Sequence, residues 1–353
     1  MKALKTLALL LALALTLSAC GATRGGDGPA EVVGGAQPAG PQEAAPPEDA
    51  APQPAGNDPM EVDSVRVGAL KGPTAMGMVS MMSDDGVNSY TLAGSADELT
   101  PKLIKGELDV ACVPANLAAA LYNKTEGQIV TLAVNTLGVL YIVENDGDAV
   151  RSMADLRGKT LVAAGKGSTP EFGLRYLLEQ NGLDPDRDVT IDWKSEHAEC
   201  VAALAAGTAD LALLPQPFVT VAQGKLEKLR VALDLTAEWD ALGNGSAMIT
   251  GVAVARRDFV EQNQELTGRF LEEYRKSVDW VNENPAEAAE LIAANGIIES
   301  PAVAEKALPH CNIVCLTGAE MREKLSGYLS VLAEAAPESV GGKLPGDDFY
   351  YAA

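Results

Sequence analysis

Short apolar runs separated by amphipathic stretches recur along the chain from about residue 60 onward, and they fall into two matching sets. GELDVACVPAN begins at Gly106 and GTADLALLPQP at Gly207: both read Gly-x-x-Asp, four apolar residues and a proline, at an offset of 101 positions. An unbroken apolar quartet fits a strand buried on both faces, as parallel sheets require, and a glycine just ahead of it fits the left-handed close of a helix. Upstream of the first quartet stand a strand-like segment at 89–92 and a helix opening at Asp97-Glu98-Leu99; upstream of the second stand 189–193 and a helix over 199–206. Further back, residues 65–70 predict a strand leading through Lys71-Gly72-Pro73-Thr74 into a Met-rich helix that reaches about Ser83. Residues 160–164 predict a strand leading through Gly165-Lys166-Gly167-Ser168-Thr169-Pro170 into a helix over 171–180, here at an offset of 95. The pattern predicts an α/β protein with two βαβαβ halves, the change of offset being taken up in loop length.

In an open α/β sheet, ligands bind outside the carboxyl ends of the strands. Both Lys-Gly-x-Thr loops and both proline loops belong to that edge. Glycine lets the backbone approach a ligand, while Thr74 and Thr169 can either cap a helix or turn a hydroxyl outward. Ser168-Thr169-Pro170-Glu171 is the stronger helix start, with proline at the first position and free amides at the positive pole, a seat for a carboxylate, sulfonate, phosphate or similar group. For either loop alone, simple capping with a solvated lysine is an equal reading; their pairing in repeated halves favours a shared cleft. Prolines on both sides of Gln216 restrict its backbone and aim its amide in one direction, or else simply stiffen a connection. Asn116, after Pro114, stands in the matching place and either faces the cleft or caps a helix over 117–121.

Apolar runs at 139–143 and 251–255 follow the two halves, each announced by Thr-Leu-Gly or Thr-Gly. Two such crossings bracket residues 146–247 as a second lobe set into a first lobe made of 60–145 and 248–353, able to close about a hinge.

Residues 1–20, MKALKTLALLLALALTLSAC, combine two lysines, an apolar run and small residues, which reads as a secretory signal over 1–19. Leu17-Ser18-Ala19 ahead of Cys20 resembles the lipobox of bacterial lipoproteins, so Cys20 is the candidate lipidation site. From 20 to 59 the chain is about two thirds Gly, Ala and Pro, a disordered tether with a reach on the order of 35 Å. The expected location is outside the cell or in the periplasm, on the outer face of a membrane.

The net charge of −22 discourages phosphate backbones, so nucleic acid is not an expected partner. The histidines and cysteines are sparse. His197 and Cys200 form one pair and His310, Cys311 and Cys315 one cluster, neither at a standard metal spacing, so structural roles are expected, with no metal and no cofactor. The pairing of Cys112, Cys200, Cys311 and Cys315 is left open. Met76, Met78, Met81 and Met82 suit core packing better than an apolar ligand. Trp193 and Trp239 could reach the cleft without any context requiring it.

Taken in order, Asp155-Leu156-Arg157-Gly158-Lys159-Thr160 with the following strand and Gly-Ser-Thr, the segment from Asp109 to Pro114, and the helical stretch 259–284 ending Trp280-Val281-Asn282-Glu283-Asn284-Pro285 resemble the type II periplasmic binding fold. The group in question is the substrate-binding lipoproteins of ABC transporters for nitrate, sulfonate, taurine and thiamine precursors, and the likeness covers about residues 62–350. The resemblance implies a monomeric, non-catalytic, lipid-anchored receptor that closes on a small polar or anionic organic ligand and delivers it to a membrane permease. It places Lys71, Gly72, Pro73, Thr74, Asn116, Thr136, Gly138, Ser168, Thr169 and Gln216 at the cleft, with Gly167 in the second loop. Neither Lys-Gly-x-Thr loop contains an arginine, so no guanidinium clamp is evident there. The alternatives are an exported enzyme of the same fold acting on a pyrimidine-type or related molecule, and a ligand sensor for a membrane receptor. For the enzyme, Lys71, Lys166, Glu196 and His197 are the groups on offer.

Overall fold

The computed structural model describes residues 64–83 and 88–352, so the expected signal at 1–19, Cys20 and the tether at 20–59 lie outside the described residues. In chain order the strands are β1 (Arg66–Leu70), β2 (Ser89–Ala93), β3 (Val110–Pro114), β4 (Ile129–Leu137), β5 (Leu140–Asn145), β6 (Thr160–Ala164), β7 (Thr190–Lys194), β8 (Leu211–Pro215), β9 (Leu229–Asp234), β10 (Ile249–Arg256) and β11 (Ile313–Leu316). The helices of the first part are α1 (Pro73–Met76), α2 (Val79–Ser83), α3 (Ala96–Ile104) and α4 (Ala115–Lys124), and those of the middle are α5 (Thr169–Gln180), α6 (His197–Ala205), α7 (Phe218–Lys225) and α8 (Leu235–Ala241). The last part adds α9 (Arg257–Gln262), α10 (Gln264–Glu283), α11 (Pro285–Ala294), α12 (Pro301–Ala307) and α13 (Gly318–Ala335).

Two sheets result, ordered β11-β4-β10-β3-β1-β2 and β7-β6-β8-β5-β9. In the first, β1 pairs in parallel with β2 and β3; in the second, β6 does so with β7 and β8, so the two apolar sets of the sequence build the same three-strand unit. Each unit is extended by one antiparallel strand, β10 against β3 and β5 against β8. Gly251 of β10 registers with Pro114, and Leu140 of β5 with Pro215, so both crossing strands start at the carboxyl edge beside the prolines. The run at 139–143 was expected to close the first lobe ahead of a boundary at 145/146. Its strand β5 lies in the second sheet, between β8 and β9, and the changeover falls between Leu137 and Leu140. Both faces of β5 are buried there, which is why its sequence is apolar without alternation.

The quartets 110–113 and 211–214 are buried throughout, and Gly106 and Gly207 close α3 and α6 at φ +76° and +65°, as the sequence predicts. Met76 and Met78 are fully buried and Met81 nearly so, in the apolar layer between the first sheet and α10 and α11. The expected continuous helix at 259–284 is broken at Asn263, where α9 ends and α10 begins. A second layer covers the outer face of β6 and β8 with α6 and α7. A third core is continuous between the sheets: it takes in α3, α4 and α13 on one side and α5 and α8 on the other, with Trp239 between Tyr176 and Tyr328 at ring-centroid distances of 4.8 and 5.4 Å. Trp239, offered by the sequence as a ligand contact, is therefore a core residue, its indole N–H donating to Ser246 Oγ at 3.0 Å. Among the described residues, no helix is long and apolar enough to cross a membrane.

Candidate functional site

The starts of α1, α3, α4, α5, α6, α7 and α8 follow the carboxyl ends of the strands, and the sequence-predicted site residues gather there in three groups. The first is packed against the first sheet. Gly72 is buried at φ +129°, a conformation that favours glycine, and its carbonyl accepts from Ala75 and Met76. Pro73 opens α1, and Thr74 is buried with its hydroxyl donating to Leu70 O at 2.9 Å. Thr136, fully buried near the end of β4, donates to Asn135 Oδ1 at 3.1 Å. Gly251 draws these together: a Cβ there would lie 2.6 Å from Asn135 Oδ1 and 2.8 Å from Thr74 Cγ2. Lys71 is exposed at the rim, held through its backbone N–H to Ala93 O.

The second group joins the two lobes. Asn116 is buried in the first turn of α4, where Pro114 occupies the cap position, so the alternative that Asn116 caps the helix is corrected. The cause is the proline, which already fixes the backbone at the point where a capping side chain would act. Asn116 Nδ2 donates to Ser339 O at 3.1 Å and to Gly167 O at 3.5 Å, while Oδ1 accepts from the Thr169 hydroxyl at 3.4 Å. Gly167 sits at φ +76°, and its N–H donates to Glu171 Oε2 at 2.6 Å. Ser168 precedes α5 and donates to Gly165 O at 2.8 Å. Thr169 is fully buried, beside the Tyr328 hydroxyl of α13.

The third group lies at the crossing. Gly138 joins β4 to β5 with its carbonyl accepting from Asn312 Nδ2 at 2.5 Å, and a Cβ there would collide with Thr236 Oγ1 of α8. Gln216 donates its N–H to Val139 O at 3.0 Å, and its side-chain Oε1 accepts from the Thr220 hydroxyl at 2.9 Å. The amide is thus aimed by Thr220 of α7, with Nε2 as its remaining donor. Next to it, burial pushes the Tyr141 hydroxyl up to about 12, with the Asp234 carboxylate adding in the same direction, so this group stays a neutral donor.

The groups offered to an enzyme are dispersed. His197, half-buried at the start of α6, packs against Phe218 at 5.3 Å, and burial lowers its imidazole to about 4. Cys112, Cys200, Cys311 and Cys315 are free thiols, all raised by burial. Among the described residues no three His, Cys, Asp or Glu side chains are placed to hold a metal. Two surface depressions, about 300 Å³ around Lys159, Asp192 and Asp210 and about 590 Å³ around Lys105, Lys124 and Arg256, lie toward the opposite, amino ends of the strands and touch none of the three groups.

Sequence reasoning did not pick out Asn135, Thr236, Ser339 or Tyr328. Asn135 was accessible to it, as half of a polar pair in a mostly apolar strand; Ser339 and Tyr328 arrive from the distant C-terminal segment and carry no local signal.

Comparison with known proteins agrees with this architecture. Among solved structures, an ABC transporter from Parabacteroides distasonis superposes with a TM-score of 0.69 at 25% identity, covering 82% of this chain and 99% of that one. The periplasmic aliphatic sulphonate binding protein SsuA from Escherichia coli follows at 0.64 and 18%, covering 82% and 96%. The periplasmic nitrate-binding protein NrtA from Synechocystis PCC 6803 gives 0.53 and 16%, covering 71% and 69%. The fold is therefore the two-lobed type II periplasmic binding fold. YtlA of Bacillus subtilis (strain 168) is 21% identical over 196 residues, 54% of this chain and 55% of that protein. BAB2_1146 of Brucella abortus (strain 2308) is 25% identical over 221 residues, 61% and 65% respectively, so the chain spans somewhat over half the length of the curated relatives it matches. A family model described as ABC transporter, phosphonate, periplasmic substrate-binding protein matches residues 89–294, more than half of the sequence, and with the order of strands and crossings in hand the chain belongs to that family.

Proposed function

We propose that this protein is an extracytoplasmic solute-binding lipoprotein of an ABC importer, anchored through Cys20, which closes its two lobes on a small polar or anionic organic solute and hands it to a membrane permease. The observation that carries this reading is the bond set of Asn116: one side chain of the first sheet's helix α4 meets Gly167 and Thr169 of the second at 3.5 and 3.4 Å. A side chain that touches both lobes at their carboxyl edges is where a ligand would be gripped on closure. Lys71, Gly72, Pro73 and Thr74, with Thr136 and Gly138, form the first lobe's wall and its hinge in this reading. Gly167, Ser168, Thr169 and Gln216 form the opposing wall. Membership of a substrate-binding family supports the role; the permease, the lipid anchor, the monomeric state and the outward location are parts of the same proposal, the anchor and location being supported by the N-terminal sequence.

The test is thermal unfolding of the full chain against a panel of pyrimidine precursors, flavins, amino acids, taurine, alkyl sulfonates and nitrate. A ligand at a hundred times its Kd adds about 2.7 kcal/mol to the folded state. One compound that raises the midpoint and is recovered unchanged, with affinity falling at least about tenfold in Thr169→Val and Gln216→Ala, supports the reading. Turnover of the compound would move the protein to the catalytic alternative. For the anchor, Cys20→Ala is expected to release the protein from membranes, and retention there would remove the lipoprotein assignment.

A further inference from the structure

We infer that the face of the first lobe at the amino ends of its strands is a docking surface for an anionic phospholipid bilayer, on which the anchored protein rests with its cleft turned away from the membrane. The inference rests on the reading of Cys20 as a lipid anchor. Its basis is what separate segments bring together at the depression of about 590 Å³ beside the start of β4.

Ile104 and Lys105 close α3, Lys124 closes α4, and all three line the depression with Arg256 from the end of β10. A lysine at a helix C-terminus complements the dipole, which accounts for each lysine alone but not for what stands beside them. Among the described residues neither Lys105 nor Lys124 is ion-paired, the exposed Glu107 and Glu126 included. Asp258, the one carboxylate in the depression, is taken by Arg256 Nε at 2.9 Å. Asn123 Nδ2 donates to Lys343 O at 2.7 Å, which brings the exposed Lys343 and Leu344 to the same end of α4. Ile104 is 48% exposed and Leu344 46%, two of the three large apolar side chains exposed among the described residues. They stand beside unpaired lysines in a chain whose net charge is −22. Ammonium groups with apolar neighbours fit a lipid surface, where the charge meets phosphate and the apolar side chain meets the acyl boundary; an acidic soluble partner would use the lysines and leave Ile104 and Leu344 wet.

The place where the chain reaches the first sheet favours the same face. Residues 20–63 lead from Cys20 to β1, and β1 starts here: Arg66 Nε and Nη2 donate to Asp109 at 2.9 and 2.6 Å, and Arg256 Nη1 lies 3.8 Å from the same carboxylate. A chain fixed at Cys20 therefore meets its folded part at the basic and apolar face. Negative charge elsewhere on the body, more than a Debye length of about 8 Å from the lipid, is screened from it. Each cation at a membrane surface strengthens attachment about fivefold. That is too weak to hold the protein alone, so release of Cys20→Ala is still expected, but it suffices for a body that covalent linkage already keeps at the surface. The candidate cleft lies at the opposite, carboxyl ends of these strands, so a body resting on this face takes up its solute on the side away from the lipid.

Protein recovered from the exporting cell is reconstituted into vesicles of phosphatidylglycerol or of phosphatidylcholine and isolated by flotation. Its amines are then labelled with an impermeant acylating reagent and located by mass spectrometry. Lys71 and Lys166, exposed at the opposite ends of the strands, serve as internal references. In phosphatidylglycerol the labelling of Lys105 and Lys124 is expected to fall at least about fivefold relative to those references and to recover in about 0.5 M salt, while in phosphatidylcholine it stays within about twofold of its value in solution. Undiminished labelling in phosphatidylglycerol would overturn the docking and leave the anchor standing. Failure to float with either lipid would instead remove the anchor, and the docking with it. Equal protection by inorganic phosphate without vesicles would overturn the membrane as occupant and make the depression a site for a soluble anion. Ile104→Asp, a change at an exposed position, is expected to remove at least about half of the protection. Protection unchanged in this variant would overturn the apolar contact that sets a lipid surface apart from a simple anion.

Discussion

The two Lys-Gly-x-Thr loops occupy the same station in sheets of the same strand order, yet they serve different ends. After β1 the loop leads into a four-residue helix buried beneath α10 and α11: Gly72 is enclosed, the Thr74 hydroxyl is spent on Leu70 O, and Met76 is fully buried. After β6 one extra residue, Gly165 at φ +86°, lifts the loop, and a twelve-residue helix follows with Thr169 against Asn116. At the place of Met76 stands Glu171, which turns back to the loop amide. Where the following helix is drawn into a core, the loop's polar groups are consumed by the chain; where the helix is long and amphipathic, they stay at the interface of the lobes. The repeated aspartates divide in the same way. Asp109 is buried and takes Arg66 through Nε and NH2 at 2.9 and 2.6 Å, whereas Asp210 is exposed, because the position matching Arg66 in the second half is Thr160.

The largest expected effect separates the two loop helices. Met76→Ala should cost about 2–5 kcal/mol through the cavity it leaves, against about 1 kcal/mol for Glu171→Ala, which removes only the bond to the loop amide. The aspartates come next. Asp109→Asn weakens the bonds from Arg66 to a buried carboxylate and should cost about 1.5–3 kcal/mol in urea unfolding, while Asp210→Asn stays within about 0.5 kcal/mol. Equal losses would dissolve the distinction between the halves. Thr74→Val should cost about 1 kcal/mol of stability for its lost bond and leave ligand affinity less changed than Thr169→Val does. A last effect is one of pH. Burial holds His197 near 4, below the 6.5 of an unperturbed imidazole, so between these values the unfolded chain binds a proton that the folded one refuses. Stability contributed by this site should therefore be complete above pH 6.5 and decline as pH falls toward 4, and His197→Gln should flatten that stretch of the curve.

Much of the fold was legible because its signals are local. The quartets 110–113 and 211–214 are buried on both faces, so they could not alternate, and the glycines that close α3 and α6 needed a left-handed residue. The run of β5 was just as clear as a strand, but which sheet it joins depends on pairing with β8 and β9, partners more than sixty residues further along the chain. The site was legible to the same extent. Thr169 and Gln216 are marked by their own neighbours in sequence, while the roles of Asn116 and Tyr328 depend on contacts with Gly167, Thr169 and Ser339 that no local pattern encodes.

The aromatic row of Tyr176, Trp239 and Tyr328 has a mechanical consequence. It belongs to the core shared by the two sheets, and α8, which carries Trp239, also carries Thr236 against the crossing at Gly138. Parting the lobes along this side would wet two wholly buried rings, at about 25 cal/mol for each Å² exposed. On the far side, α7 meets α12, and the Tyr141 hydroxyl reaches only the His310 carbonyl at 3.4 Å. The row thus fastens α5, α8 and α13 to one another across the two sheets.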